Sequence, residues 1–168
     1  MATVTLKGNE IHTIGNLPAI GDNAPNFTLI KNDLSTTSLS DFKGQRLVLN
    51  IFPSIDTGTC AQSVRQFNQE AAKLENTRIL CISKDLPFAQ GRFCGSEGID
   101  KVETLSDFQD GNFGKSYQVE FTSGPLKGLH SRAVIVIDEN STIRYAEQVP
   151  EIVDEPNYQA AIEALKRL

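Results

Sequence analysis

Five of the six residues in Leu47-Val-Leu-Asn-Ile-Phe52 are apolar, and the run stops at Pro53. A short apolar run closed by proline fits a strand buried on both faces of a sheet. The next segment, Ser54-Ile-Asp-Thr-Gly-Thr59, is a loop by composition. The period then changes. Val64, Phe67, Ala71 and Leu74 recur at three- and four-residue steps, with Arg65, Asn68, Glu70 and Lys73 between them. That spacing predicts a helix with one apolar stripe. Arg78-Ile-Leu-Cys-Ile-Ser83 is the next strand. Strand, helix and strand make a βαβ unit, for which a right-handed crossover is expected.

The flanking segments extend this unit. Thr3–Leu6 and Glu10–Ile14 alternate polar and apolar residues around Gly8-Asn9, which predicts an N-terminal hairpin over about residues 3–14. Pro18–Pro25 reads as a loop, and Phe27–Ile30 as a short strand. Asp85-Leu-Pro87 opens a second helical stretch, with Asp85 as its cap and Pro87 in its first turn. Gly91, Gly95 and Gly98 weaken that stretch, because each interior glycine costs about 1 kcal/mol relative to alanine. Ala133–Ile137 and Thr142–Tyr145 form a second hairpin around Asp138–Ser141, a run that resembles a set of calcium ligands but reads better as a turn. Tyr158, Ala161, Ile162 and Leu165 mark a C-terminal helix. The expected fold class is α/β: one domain over residues 1–168, with a mixed sheet flanked by helices.

Sixteen basic and 21 acidic residues give a net charge of −5, which argues against nucleic-acid binding, since phosphate neutralisation needs a basic face. No apolar run approaches the roughly 20 residues that span a bilayer. Met1–Gly8 lacks a basic-then-apolar leader pattern. The expectation is a cytoplasmic protein, or a periplasmic one from which a leader has been removed. His12 and His130 are isolated, and the cysteines have no zinc spacing. No phosphate loop, nucleophile elbow or dinucleotide fingerprint is present. Neither a metal nor a cofactor is expected.

The three cysteines, Cys60, Cys81 and Cys94, are too few for a disulfide scaffold and odd in number. Cys60 falls where a buried strand has ended and a helix begins. The first amides of a helix lack internal partners and the helix dipole is positive there, so a thiolate would be stabilised and its nucleophilic fraction raised. Gly58 allows close backbone approach, and Thr57 and Thr59 place hydroxyls nearby. Position alone leaves two readings open: a reactive thiol, or a small residue packed under a helix. Cys81, inside Ile79-Leu-Cys-Ile82, reads as an inert core thiol.

Pro53-Ser-Ile-Asp-Thr57-Gly-Thr-Cys60 matches the Pro-x-x-x-Thr-x-x-Cys signature and resembles that of the peroxiredoxins. With Asn50-Ile-Phe before it, the stretch is similar to the atypical two-cysteine subfamily, the bacterial thiol peroxidases. Phe88-Ala-Gln-Gly-Arg-Phe-Cys94-Gly, Gly124-Pro-Leu-Lys-Gly128 and Arg132–Asp138 fit as well, so the likeness runs over essentially the whole chain. The resemblance implies a thioredoxin-like fold with an added N-terminal hairpin. It makes Cys60 the peroxidatic nucleophile and Cys94 the resolving cysteine, joined in a redox disulfide. Thr57 would hydrogen-bond the thiolate and the peroxide, Pro53 would wall off the site, and Arg132 would set a cation beside the sulfur. In isolation Arg132 would read as a strand-edge residue in a surface ion pair.

The implied reaction is reduction of hydrogen peroxide and organic hydroperoxides, with thioredoxin as reductant and a homodimer as the assembly. A disulfide needs Cα atoms within about 7 Å. Cys60 and Cys94 both lie on helix-like stretches, so the segment around Cys60 and the glycine-laden Asp85–Gly98 are expected to unwind locally. Phe88 and Phe93 either wall the substrate pocket or belong to the core. Three other functions compete. A peroxide sensor that relays oxidation to a partner would also need a reactive Cys60 but would not turn over. A general disulfide oxidoreductase is disfavoured because no Cys-x-x-Cys pair is present. A structural binding domain would need no reactive thiol.

Overall fold

The computed structural model describes residues 1–168. Its frame is a seven-stranded mixed sheet. The central strands β5 (Arg46–Ile51), β6 (Thr77–Ser83) and β7 (Glu103–Ser106) run parallel, and β8 (Ala133–Ile137) and β9 (Ile143–Gln148) add antiparallel beside β5. At the other edge β3 (Thr28–Ile30) meets β7 antiparallel, and β4 (Thr36–Ser38) pairs with β3. Helix α1 (Gly58–Ala71) connects β5 to β6, as the apolar periodicity predicts. Helix α2 (Pro87–Glu97) links β6 to β7, a short α3 (Asn112–Ser116) follows β7, and α4 (Tyr158–Lys166) ends the chain. The separate hairpin of β1 (Thr3–Leu6) and β2 (Asn9–His12) turns through Lys7 and Gly8 at φ 51° and 84°, one residue earlier than the sequence suggests.

The period-two alternation of β5 divides the core. Leu47, Leu49 and Ile51 face a cluster with Phe27, Phe42, Phe113 and Tyr117, whereas Val48 and Phe52 face Cys60, Val64 and Phe67 of α1 and Ala161, Ile162 and Leu165 of α4. Asn50, the polar interruption, is buried too. It donates to the Ser63 hydroxyl at 3.0 Å and to the Cys81 sulfur at 3.7 Å. Burying this amide without partners would cost free energy, so its bonds tie α1 to the sheet. A third small cluster, Val4, Ile11, Phe121 and Ile152, fastens the N-terminal hairpin to the body. No helix is long and apolar enough to cross a membrane.

Helix α2 differs from the others. Only Pro87 and Gln90 are buried along it, against five residues on α1, and it ends at Gly98 with φ 66°. Its cap residue is Leu86 rather than Asp85, whose carboxylate is engaged by the loop after β5. Among the strands and α-helices, three have no counterpart in the sequence reading: β4, β7 and α3.

Candidate active site

Cys60 sits in the first turn of α1 with its side chain fully buried. Its sulfur accepts a hydrogen bond from Arg132 Nη2 at 3.3 Å. Arg132 is not the surface residue that its local sequence suggests; it is only 2% exposed. Its Nε donates to the Ile152 carbonyl at 2.9 Å, and its backbone carbonyl accepts from the Gln148 amide. The register explains its position. Ala133 pairs with Ile51, so the residue before Ala133 lies against the segment where β5 leaves the sheet. Arg132 Nη1 is buried with no partner in the chain.

The amides of Gly58, Thr59 and Cys60 make no hydrogen bond within the chain, as expected for a helix start. Together with Arg132 they make the surroundings of the sulfur suited to negative charge. Thr57 caps the helix by position, but its hydroxyl donates to the Ser54 carbonyl at 2.9 Å. The expected bond from Thr57 to the sulfur is therefore not formed. With its proton used, the Thr57 oxygen is left as an acceptor, the role that a peroxide O–H requires. Thr59 donates to the Val153 carbonyl at 2.9 Å, which fixes the loop beyond β9 over the helix start.

Pro53, Thr57 and Arg132 line one cavity of about 440 Å³, closed on its apolar side by Leu6, Leu126 and Ile152. Glu151 secures the hairpin wall of this cavity. Its carboxylate accepts from the amides of Gly8, Val153 and Lys7 and from the Thr5 hydroxyl, which together hold its pKa below the usual carboxylate value. Phe88 and Phe93 do not line the cavity. Phe88 is 68% exposed at the start of α2, and Phe93 packs beside the α1 core with the Arg65 guanidinium 5.8 Å above its ring. Of the two readings left open for them, pocket wall or core, Phe93 fits the core and Phe88 fits neither.

Cys94 lies elsewhere. It is half-buried on α2, in van der Waals range of the Thr104 hydroxyl at 3.6 Å, and lines a second cavity of about 290 Å³ with Asn32 and Thr104. Burial pushes its thiol pKa up, partly offset by Thr104. All three cysteines are free, and Cys60 and Cys94 are held by different partners. Cys81 is fully buried in the core, and desolvation pushes its thiol up to about 12. It stays protonated near neutrality, as its strand position suggests.

The sequence reading missed the two groups that hold the site together: the Ile152 carbonyl and Asp85. The carbonyl has no sequence signature. Asp85 was legible in principle, because parallel neighbours leave their C-terminal loops side by side.

A reduced cysteine at a helix start, on a sheet of this topology and beside a buried arginine, defines a class of oxidoreductases that work through a thiol. The Redoxin family model matches residues 19–162. A thiol peroxidase of Corynebacterium glutamicum is 53% identical over 165 residues, which is 98% of this chain and 99% of that protein. The crystal structure of a peroxiredoxin-like protein from Aquifex aeolicus superposes with a TM-score of 0.93 at 37% identity, over 98% of this chain and 96% of that one. A thiol peroxidase from Chromobacterium violaceum shares the fold, with a TM-score of 0.90 at 23% identity over 98% and 95%. The chain belongs to the redoxin family, as a peroxiredoxin of the thiol peroxidase type.

Proposed function

We propose that this chain reduces hydrogen peroxide and organic hydroperoxides, with Cys60 as the nucleophile and Cys94 as the resolving thiol. The observation that carries the reading is the Cys60 sulfur held 3.3 Å from a buried arginine that itself lines the cavity with Pro53 and Thr57. The Cys60 thiolate attacks one peroxide oxygen in line. The O–O bond breaks, the sulfur becomes a sulfenic acid, and the other oxygen leaves as hydroxide or alkoxide and takes up a proton. Negative charge moves from sulfur to the leaving oxygen. Arg132 and the free helix-start amides face that path, so they favour the transition state over the separated reactants. Thr57 accepts the peroxide proton's hydrogen bond and Pro53 excludes water from one side.

Cys94 thiolate then attacks the sulfenic sulfur. A disulfide forms, and hydroxide leaves as water after protonation. A thioredoxin-type dithiol restores both thiols and is itself oxidised to a disulfide. The reading includes a homodimer, to be checked by sedimentation equilibrium. Peroxide consumption coupled to thioredoxin and its reductase tests the whole scheme on wild type, Cys60→Ser and Cys94→Ser. Turnover is expected in wild type alone. A single stoichiometric oxidation without turnover would instead indicate a peroxide sensor. Peptide mapping after one equivalent of peroxide is expected to recover a Cys60–Cys94 bridge; a Cys60–Cys81 bridge, or none, overturns the pairing.

A further inference from the structure

Asp85 lies in the turn between β6 and α2, and its carboxylate collects three donors from two separate segments. Ser54 Oγ donates at 2.7 Å and the Ile55 amide at 2.7 Å, both from the loop that leads into α1. Ser83 Oγ, at the end of β6, donates at 2.6 Å. The network continues at both ends. The Gln90 side chain, buried on α2, donates to Ser83 Oγ at 3.2 Å and to the Leu105 carbonyl at 2.9 Å. Gln90 stands one helical turn before Cys94. Ser54 holds Thr57 through its carbonyl and the Asp56 amide through its hydroxyl. A continuous path therefore joins the turn carrying Cys94 to the loop carrying Cys60.

We propose that Asp85 is a positioning residue that latches the two cysteine-bearing segments together in the reduced enzyme. The inference rests on the peroxidase reading above, and adds to it a link between the two chemical steps. While the latch is closed, the loop from Pro53 to Thr57 is held against the sheet and the Cys60 site stays formed. On that reading, disulfide formation draws the Cys60 sulfur away from Arg132 and the Cys94 sulfur away from Thr104. Helix α2 has only two buried residues, and its other ties, from Arg65 to Glu97 and to the Phe93 ring, lie at or near the surface. Opening the latch thus loosens both cysteines at once, slowing the first step and speeding the second.

The test separates these steps. Asp85→Ala removes the acceptor, and Ser54→Ala removes one donor while sparing the carboxylate. Rapid-quench mass spectrometry reads sulfenic acid formation and its conversion to disulfide as two rate constants. In Asp85→Ala, oxidation is expected to fall about tenfold and resolution to rise about tenfold, the effect of losing hydrogen bonds to one charged group. Ser54→Ala should shift both rates in the same senses by less. Hydrogen exchange of the Gln90–Gly98 amides in the reduced protein, which needs no catalysis, should speed up in both variants. Rates within twofold of wild type, both steps slowed together, or unchanged exchange would overturn the proposal. Failure of wild type to consume peroxide, with exchange still responding to the variants, would fault the peroxidase reading and leave the latch in place.

Discussion

Replacing Arg132 by glutamine keeps an amide donor near the site but removes the charge that faces Cys60. At 3.3 Å and an effective dielectric of about 20, a unit positive charge stabilises a thiolate by about 5 kcal/mol. Delocalisation over the guanidinium places the centre of charge farther away, so this figure is an upper bound. The rate senses the part that persists while charge passes from sulfur to the leaving oxygen. Loss of one donor aimed at developing charge typically costs about 10²–10³ in rate. The same fall is expected in the second-order rate constant for oxidation of Arg132→Gln. Arg132→Lys should lie between, because an ammonium cannot serve the Ile152 carbonyl and the sulfur through one rigid fork. The chain has no tryptophan, so the assay is rapid quench with alkylation of the remaining thiol and intact-mass detection. Circular dichroism sets a temperature at which both proteins are folded. An Arg132→Gln variant that oxidises within threefold of wild type would refute the electrostatic reasoning.

Cys81→Ala should leave peroxide turnover nearly unchanged, measured in the thioredoxin-coupled assay. The same variant tests a pH dependence. Folded Cys81 keeps its proton until about 12 whereas the unfolded thiol loses it near 9.0, so the unfolded state binds fewer protons in that window and stability falls as pH rises through it. Urea titrations of the reduced protein should show a shallower decline in Cys81→Ala, by up to about 1.4 kcal/mol per pH unit. Gly114→Ala puts a methyl 2.9 Å from His130 Nε2, which is already bonded to buried Asp107, and should destabilise by about 1–3 kcal/mol in the same titration. Leu126→Ala should lower the rate with cumene hydroperoxide relative to hydrogen peroxide several-fold, whereas Phe93→Ala should leave that ratio unchanged.

What the sequence carried locally, it carried well. The apolar run at 47–52 could satisfy its faces only inside a sheet, and the three- and four-residue steps after it fit only a helix, so β5, α1 and β6 were legible. Strand β7 was not. Glu103-Thr-Leu-Ser106 has a single apolar residue, and its burial comes from parallel pairing with β6 and from α2 above it. Arg132 depends on distance along the chain in the same way. Nothing beside it in sequence says that Ala133 pairs with Ile51, yet that pairing turns a strand-edge cation into a buried partner of Cys60.

That Phe88 and Phe93 could be read two ways has a related cause with a functional side. A helix declares its buried face through spaced apolar residues, and α2 interrupts that spacing with Gly91 and Gly95. Its orientation was therefore illegible, and the two phenylalanines could be assigned to either side. The same lack of an apolar stripe leaves the helix held by single contacts: Gln90, the turn at Asp85, Phe93 beside the α1 core and the surface pair of Glu97 with Arg65. A strongly amphipathic helix at this position would have been easy to read. It would also hold Cys94 against Thr104 and oppose the movement that a bridge to Cys60 demands. Under the proposed reaction, the weak local signal and the unwinding that the bridge requires would thus share one origin in this segment.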